Sequence, residues 1–390
     1  MATCSPSFGA RCLPPVAVIS INAIWNFLNF RVGLITRLQD AGYRVVAIAP
    51  DDRHRAALTA LGVDFHPIAI ASKSLSPLGD LRLLARYYAL FGRIRPDVFL
   101  GYTIKPNIYG SLAAWARGVP VLNNVSGLGT AFVREGWLMR LVSTMYRAAL
   151  RHSHTVFFQN AEDRALFVDR GLVQPAQAEL LAGSGIDLTR FQPVMAAQHD
   201  APVFLLVGRL LRDKGVIEFV EAARLLRGDH PGVRFQLLGF LDVDNATAIT
   251  RAEVADWSAA GLIEYLGDTD DVRPYVAAAD CIVLPSYREG LPRSLLEAGA
   301  MAKPSIATDV PGCRTVIRPG MNGLLCEARS GDDLARAMRD FIALSPAERA
   351  AMGERARAIV ETEYDERVVI ERIVAAVDRA TGSGPVQTAR

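Results

Sequence analysis

Two doubly wound α/β domains in tandem, each built on a parallel sheet, are predicted by three observations. Short Val- and Ile-rich runs alternate with segments of helical period along nearly the whole chain. The apolar runs are continuous rather than alternating, as in strands buried on both faces. The rhythm breaks once, over residues 181–193, and restarts at Val203. The 390 residues correspond to two or three domains at about 150 residues each, enough to bury a core without disulfide or metal staples.

Val16–Ile21 reads as the first strand. An Asn-punctuated loop through Asn22, Asn26 and Asn29 follows, then a helix carried by Val32, Leu34, Ile35 and Leu38 that stops at Gly42. Tyr43–Ala49 is a second strand closed by Pro50-Asp51-Asp52. Helices near Arg53–Leu61 and Leu81–Arg95, strand Val98–Gly101, helix Pro106–Ala116 and strand Val119–Asn123 continue the series. A helix near Trp137–His152, strand Thr155–Gln159 and helix Glu162–Arg170 complete the first half. Beyond the break come strand Val203–Val207, helix Val216–Leu226, strand Arg234–Leu238, helix Arg251–Ala259, strand Ile263–Tyr265, helix Val272–Ala278 and strand Cys281–Pro285. Helix Pro292–Met301, strands Pro304–Ala307 and Gly323–Cys326, and helices Asp332–Leu344, Pro346–Thr362 and Glu366–Ala380 end the pattern. The predicted division is a first domain over 13–190, a second over 191–364, a helix over 365–380 returning to the first, and a small polar tail over 381–390. Two such domains put the carboxyl ends of their strands beside an interdomain cleft, so site residues are expected on loops that follow strands.

Composition narrows the function. With 51% hydrophobic, 22% charged and 8% aromatic residues, intrinsic disorder and fibrous repeats are excluded. The net charge of +2 hides an asymmetry: residues 1–190 carry 20 Lys and Arg against 12 Asp and Glu, and residues 191–390 carry 23 against 29. Either the front half meets something anionic, such as a phosphate-bearing ligand, a membrane surface or nucleic acid, or these are scattered solvated charges. Basic and aromatic residues form no nucleic-acid reading motif, so no nucleic-acid partner is expected. Five cysteines without a C-x-x-C pair argue against a disulfide framework and a zinc site, and fit a reducing cytoplasm. The uncharged stretch Cys12–Phe30 holds Pro14, Pro15 and three asparagines, and so reads as strand plus loop rather than a membrane span. No secretory signal is evident.

Two segments carry chemistry. Gly208-Arg209-Leu-Leu-Arg-Asp-Lys214-Gly215 follows a strand and opens a helix. Arg209 offers a planar fork of donors and Lys214 a compact ammonium at a helix amino end, so together they can hold a diphosphate; the alternative is two solvated loop cations. Neither G-x-x-x-x-G-K-[ST] nor G-x-G-x-x-G occurs, which removes the main support for kinase-like and dinucleotide readings. In Pro285-Ser-Tyr-Arg-Glu289-Gly290-Leu291-Pro292, Gly290 permits close backbone approach and Pro292 suits the first turn of the following helix. Glu289 precedes that helix and Glu297 lies near its second turn. Side chains lean toward the amino terminus, so both carboxylates can address the hydroxyls of one ligand there. An acid/base carboxylate pair is another reading, and Glu297 alone also fits a dipole or surface charge. Lys105, before Pro106 at a strand-to-helix junction, can meet a phosphate or stand as a solvated cation.

These segments, with Gly183-Ser-Gly-Ile-Asp-Leu and Gly320-Met-Asn-Gly-Leu-Leu, resemble the retaining glycosyltransferases of the GT-B fold, family 4. In the first half, Asn29-Phe-Arg31-Val-Gly-Leu-Ile, Gly101-Tyr-Thr-Ile-Lys105-Pro-Asn107-Ile-Tyr-Gly and Asn123-Asn-Val-Ser126-Gly-Leu-Gly129 are similar to the bacterial branch that elongates lipid-linked oligosaccharides. The resemblance implies two Rossmann-like domains facing a cleft. It implies that Arg209 and Lys214 bind the nucleotide diphosphate beside Gly208, that Glu297 binds the ribose, and that Glu289 with the amides at Gly290 and Leu291 binds the donor sugar. Arg209, Lys214 and Glu289 are the catalytic set, and Asn29, Arg31, Lys105, Asn107 and Ser126 the acceptor candidates. No cofactor and no metal are implied beyond the UDP-sugar donor, because cations and helix amides stabilise the departing diphosphate; Asp242-Val-Asp244 reads as a solvated loop. The acceptor implied is a lipid-diphosphate-linked saccharide, reached from the cytoplasm at the inner face of the membrane. Ser126 stands where the family often has His, and Asn22-Ala-Ile-Trp-Asn-Phe where it often has a Gly-rich loop. The helix Trp137–His152, with Trp137, Met139, Met145 and Tyr146 among Arg140, Arg147 and Arg151, either rests on an anionic membrane or faces the core with snorkelling arginines. A nucleotide-sugar epimerase and a non-catalytic sugar-nucleotide binder remain as other classes.

Overall fold

A computed structural model describes residues 14–70, 76–127, 137–194, 199, 201–241 and 245–382. Cys4, Cys12, Gly129 and Asp242-Val-Asp244, and the side chains of Trp137 and Met139, lie outside the described residues. The strands are β1 Val16–Ser20, β2 Arg44–Ala49, β3 Asp64–Pro67, β4 Val98–Tyr102, β5 Val121–Val125, β6 Thr155–Phe158, β7 Ala178–Leu180, β8 Val203–Val207, β9 Arg234–Leu238, β10 Glu264–Tyr265, β11 Cys281–Leu284, β12 Ser305–Thr308 and β13 Gly323–Cys326. They form a seven-stranded sheet in the order 3-2-1-4-5-6-7 and a six-stranded sheet in the order 10-9-8-11-12-13. Pairing is parallel from β3 through β6 and throughout the second sheet. Strand order therefore reverses between β1 and β4, and again between β8 and β11. Loops leaving those strand ends diverge to opposite faces of their sheet and open a crevice.

Every residue of β1, β4, β5, β6, β11 and β12 is buried, and β1, β4, β6 and β11 accordingly read as largely apolar runs. Phe99 of β4 packs on Phe91 and Tyr87 of helix Pro77–Ile94, at 5.2 and 6.3 Å between ring centres. Phe204 of β8 lies 5.7 Å from both Phe235 and Phe341. Local signals close the helices: Thr250 with Glu253, and Ser345 with Glu348, form capping boxes that satisfy otherwise unpaired amides.

Four elements depart from the sequence expectation. The edge strands β3 and β7 are short, and their partly exposed residues give no apolar run to read. The segment expected as a loop near Asn26 and Asn29 contains helix Ile24–Phe30, which buries Ile24 and Phe27. Its asparagines bond back one turn, Asn26 to Asn22 at 3.0 Å and Asn29 to the Trp25 carbonyl at 2.9 Å. The expected helix at 106–116 opens with a π-turn over Pro106–Gly110, fully buried, before helix Ser111–Trp115.

The chain folds into two compact units. The first comprises residues up to Phe158, Leu166–Glu179 and those from Ile370 on; the second comprises Gln159–Ala165 and Leu180–Val369. The second unit thus begins at Leu180 and borrows a short piece from ahead of it. Within the first unit the C-terminal helix is held by Arg37 to Glu371 at 2.6 Å and Arg379 to Glu179 at 2.9 Å.

A buried amide network secures the end of β5 in the first unit. Asn123 Nδ2 donates to Asn107 Oδ1 at 2.9 Å and Ser111 Oγ at 2.8 Å, and its Oδ1 accepts from Ser153 Oγ at 2.6 Å. Asn107 Nδ2 donates to the Asn124 carbonyl at 2.9 Å. Replacing Asn123 by Ala leaves three buried partners short of a bond, each worth about 1–3 kcal/mol when orphaned. Asn123→Ala should lower stability by about 2–4 kcal/mol, read from the midpoint of urea unfolding; a loss below about 0.5 kcal/mol would show that the network does not hold the strand.

Candidate active site

The second unit builds its site where β8 and β11 part. From β8 the chain passes Gly208 and Arg209, buries Leu210 and Leu211, makes one 3-10 turn over Arg212–Lys214, and enters helix Val216–Leu226 through Gly215 at φ 73°. A Cβ on Gly215 would sit 2.1 Å from the Pro285 carbonyl oxygen. Glycine here supplies the left-handed turn and also lets the two loops touch. The Tyr287 amide donates to the Asp213 carbonyl at 3.0 Å, stitching them together. Lys214 Nζ then meets Glu289 Oε1 in an ion pair, with side chains 24% and 13% exposed.

Behind this pair stands a set of residues the sequence reading missed. Tyr287 Oη donates to Glu218 Oε1 at 2.6 Å, and Arg329 lies over the Tyr287 ring at 4.7 Å. Burial, followed by the Glu218 carboxylate, pushes the Tyr287 phenol up, so it stays a donor. Arg209 is exposed and makes no ion pair among the described residues.

Glu297 is engaged differently. It sits on helix Arg293–Ala300 and accepts from Arg293 Nε at 2.9 Å, one turn back. Arg293 Nη1 reaches Ser184 Oγ and the Gly185 carbonyl, both at 3.4 Å, so the 183–188 segment and this helix meet around the carboxylate. Burial pushes the Glu297 carboxyl up despite the Arg293 charge, its second influence. Pro292 is extended, at φ −74° and ψ 114°, and caps the helix rather than occupying its first turn. Lys214 and Glu289 are therefore brought into contact, with Gly290 and Leu291 following directly, whereas the polar contact of Glu297 is with Arg293.

In the first unit Arg31, Lys105, Asn107 and Ser126 lie at the ends of β4 and β5. The Arg31 guanidinium lies 4.1 Å over the Tyr102 ring, and Asn29 bonds within its own helix. Lys105 pairs with Asp80 at 2.6 Å, so its charge already has a partner. Asn107 is 1% exposed and committed to the amide network. Ser126 is exposed directly after β5. Two residues not foreseen belong here: Thr103, left-handed at φ 65°, and Asn124, whose buried side-chain amide has no partner among the described residues. Tyr146 of the helix weighed as a membrane stripe faces the core, 5.3 Å from the Phe167 ring. Arg147 on that helix donates to the Gly171 and Arg170 carbonyls. Among the described residues no helix is long and apolar enough to cross a membrane.

Two parallel-sheet α/β units, with a lysine–glutamate pair on the switch-point loops of one, are the architecture of the GT-B fold, and family matches over both halves make the chain a glycosyltransferase. Residues 31–183 match the glycosyl transferase 4-like domain and residues 201–343 the glycosyl transferases group 1; the chain belongs to this glycosyltransferase family. It is 26% identical over 373 residues to N,N'-diacetylbacillosaminyl-diphospho-undecaprenol alpha-1,3-N-acetylgalactosaminyltransferase of Campylobacter jejuni, covering 90% of this chain and 95% of that one. It is 25% identical to UDP-Gal:alpha-D-GlcNAc-diphosphoundecaprenol alpha-1,3-galactosyltransferase of Escherichia coli, over 68% of this chain and 71% of that one. Its fold is similar to that of Anabaena HepE in complex with UDP and glucose, with a TM-score of 0.75, 16% identity, and 93% and 99% of the two chains covered.

Because Glu297 holds its proton more tightly folded than unfolded, its contribution to stability is lost as pH rises through the unfolded value of 4.5 toward the raised folded value. Glu297→Gln removes that loss. The difference in Tm between Glu297→Gln and the unaltered chain should therefore move in favour of the variant as pH rises from about 4 to 7. A difference that is flat or runs the other way would contradict the assignment.

Proposed function

We propose that this glycosyltransferase moves a hexosyl or N-acetylhexosaminyl group from a UDP-sugar to a hydroxyl of a lipid-diphosphate-linked saccharide during bacterial surface glycan assembly. The observation that carries the reading is the contact of Lys214 with Glu289 on the two switch-point loops, which puts a phosphate-type cation beside a carboxylate suited to sugar hydroxyls. The named activities of the Campylobacter and Escherichia relatives support the acceptor class, and the latter supports UDP in the donor.

In this reading Arg209 and Lys214 stabilise the charge that grows on the departing diphosphate, with no metal or other cofactor. Glu297 binds ribose hydroxyls, and Glu289 with the Gly290 and Leu291 amides binds the sugar. The acceptor is held by the first unit, with Arg31, Lys105 and Ser126 as candidate contacts. The bond from the anomeric carbon to the diphosphate oxygen breaks as the acceptor oxygen bonds to the same face of that carbon, and the acceptor proton passes to the leaving phosphate. Configuration is retained. A Glu289 already matched by Lys214 is a poor nucleophile, which favours this route over a covalent sugar ester. The reaction runs at the cytoplasmic face of the inner membrane, where a lipid-linked acceptor lies and the enzyme associates peripherally.

UDP release from a panel of UDP-sugars, with and without a prenyl-diphosphate-linked saccharide, tests the reading. Release should require the acceptor and persist in EDTA. Inhibition by EDTA would overturn metal independence, and a new epimer formed without acceptor would make the protein an epimerase. Lys214→Ala should lower kcat by about 10²–10³-fold, the usual cost of losing one such donor; near-normal turnover would remove Lys214 from the mechanism. Intact-mass measurement during turnover should find no glycosyl adduct on Glu289.

A further inference from the structure

An unassigned polar cluster lies at the start of helix Ala161–Asp169, in the piece Gln159–Ala165 that belongs to the second unit. Asn160 and Asp163 are only 2% and 1% exposed, yet both are polar. Asn160 Oδ1 accepts from the Asp163 amide at 2.7 Å, which fixes which end of the side-chain amide is oxygen. Its Nδ2 consequently faces the other way, donating to the Gly290 carbonyl at 2.9 Å and to Asp163 Oδ2 at 3.1 Å. Asp163 Oδ1 pairs with Arg288 Nη2. The residues on either side of Glu289 are thus both anchored to this one short segment.

The anchoring has a directional consequence. The Gly290–Leu291 peptide is trans, and in a trans plane the carbonyl and the following N–H point in opposite directions. Holding the Gly290 carbonyl on Asn160 turns the Leu291 N–H away from Asn160. Gly312 confines the same peptide from a second side, because a Cβ there would lie 2.6 Å from the Gly290 oxygen and 2.7 Å from the Glu289 carbonyl.

We infer that Asn160 and Asp163 are positioning residues for the donor sugar: Asn160 sets the direction of the Leu291 amide, and Asp163 through Arg288 fixes the backbone that carries Glu289. The inference rests on the proposed reading that Glu289 and the Leu291 amide meet that sugar. Neither Asn160 nor Asp163 touches the reacting atoms.

The test combines Asn160→Ala, Asn160→Asp and Asp163→Asn, with Tm recorded for each. Hydrogen exchange of a peptide spanning 286–292 reads the clamp itself, and it should quicken in Asn160→Ala; unchanged exchange overturns the clamp whatever happens to turnover. UDP affinity by calorimetry should stay within about threefold, since the 208–215 loop is untouched, while kcat with a UDP-sugar and acceptor falls about 10–100-fold, as for a small misplacement of a binding group. Normal kcat in the face of faster exchange would overturn the positioning role. A parallel fall in UDP affinity and kcat would do the same, by showing general damage. Failure of the unaltered protein to release UDP from any donor, with exchange still quickened in the variant, would instead defeat the sugar reading and leave the clamp standing.

Discussion

The ion pair between Lys214 and Glu289 is the constraint around which the second unit is arranged. Two opposite charges can be kept partly out of water only if each offsets the other's loss of hydration. That requires the loops after β8 and β11 to arrive at the same place. Parallel pairing of β8 with β11 delivers both loops to the same edge of the sheet, and Gly215 lets them touch at the Pro285 carbonyl. A side chain at position 215 would drive the loops apart and leave a lysine and a glutamate without their match.

The residues behind the pair do the remaining geometric work. Glu218 and Arg329 hold Tyr287 from below and from its face, and Asn160 and Asp163 hold Arg288 and Gly290. Glu289 lies within a stretch whose neighbours are fixed on both sides, so its carboxylate is directed by backbone restraint as well as by its charge partner. In the proposed reading, a binding group held this way needs little reorganisation when the donor arrives. Glu297 follows another logic: burial raises its proton affinity, and Arg293 ties it to the 183–188 segment.

The first unit repeats the strand order but fills its switch-point region with different chemistry. Asn107, Ser111, Asn123 and Ser153 form a buried hydrogen-bonded network there, beside the side-chain amide of Asn124, unpartnered among the described residues, with Arg31 laid on Tyr102 and Lys105 matched by Asp80. Thr103, held at φ 65°, is a non-glycine residue in a conformation that persists only where surroundings enforce it.

The strands that form the two cores were legible in the chain because burial on both faces leaves an uninterrupted apolar run, and the order of such runs implies parallel sheets. Gly208 to Gly215 and Glu289 to Pro292 were also legible as loops, because their position after a strand and before a helix is itself local information. The edge strands β3 and β7 and helix Ile24–Phe30 were not, since short or asparagine-rich segments take their form from what they pack against. Nor could the sequence reveal that Asn160 would reach Gly290, a contact between residues 130 positions apart. Local periodicity specifies elements and their order; which distant side chains share a hydrogen bond depends on how the assembled sheets turn their loops toward one another.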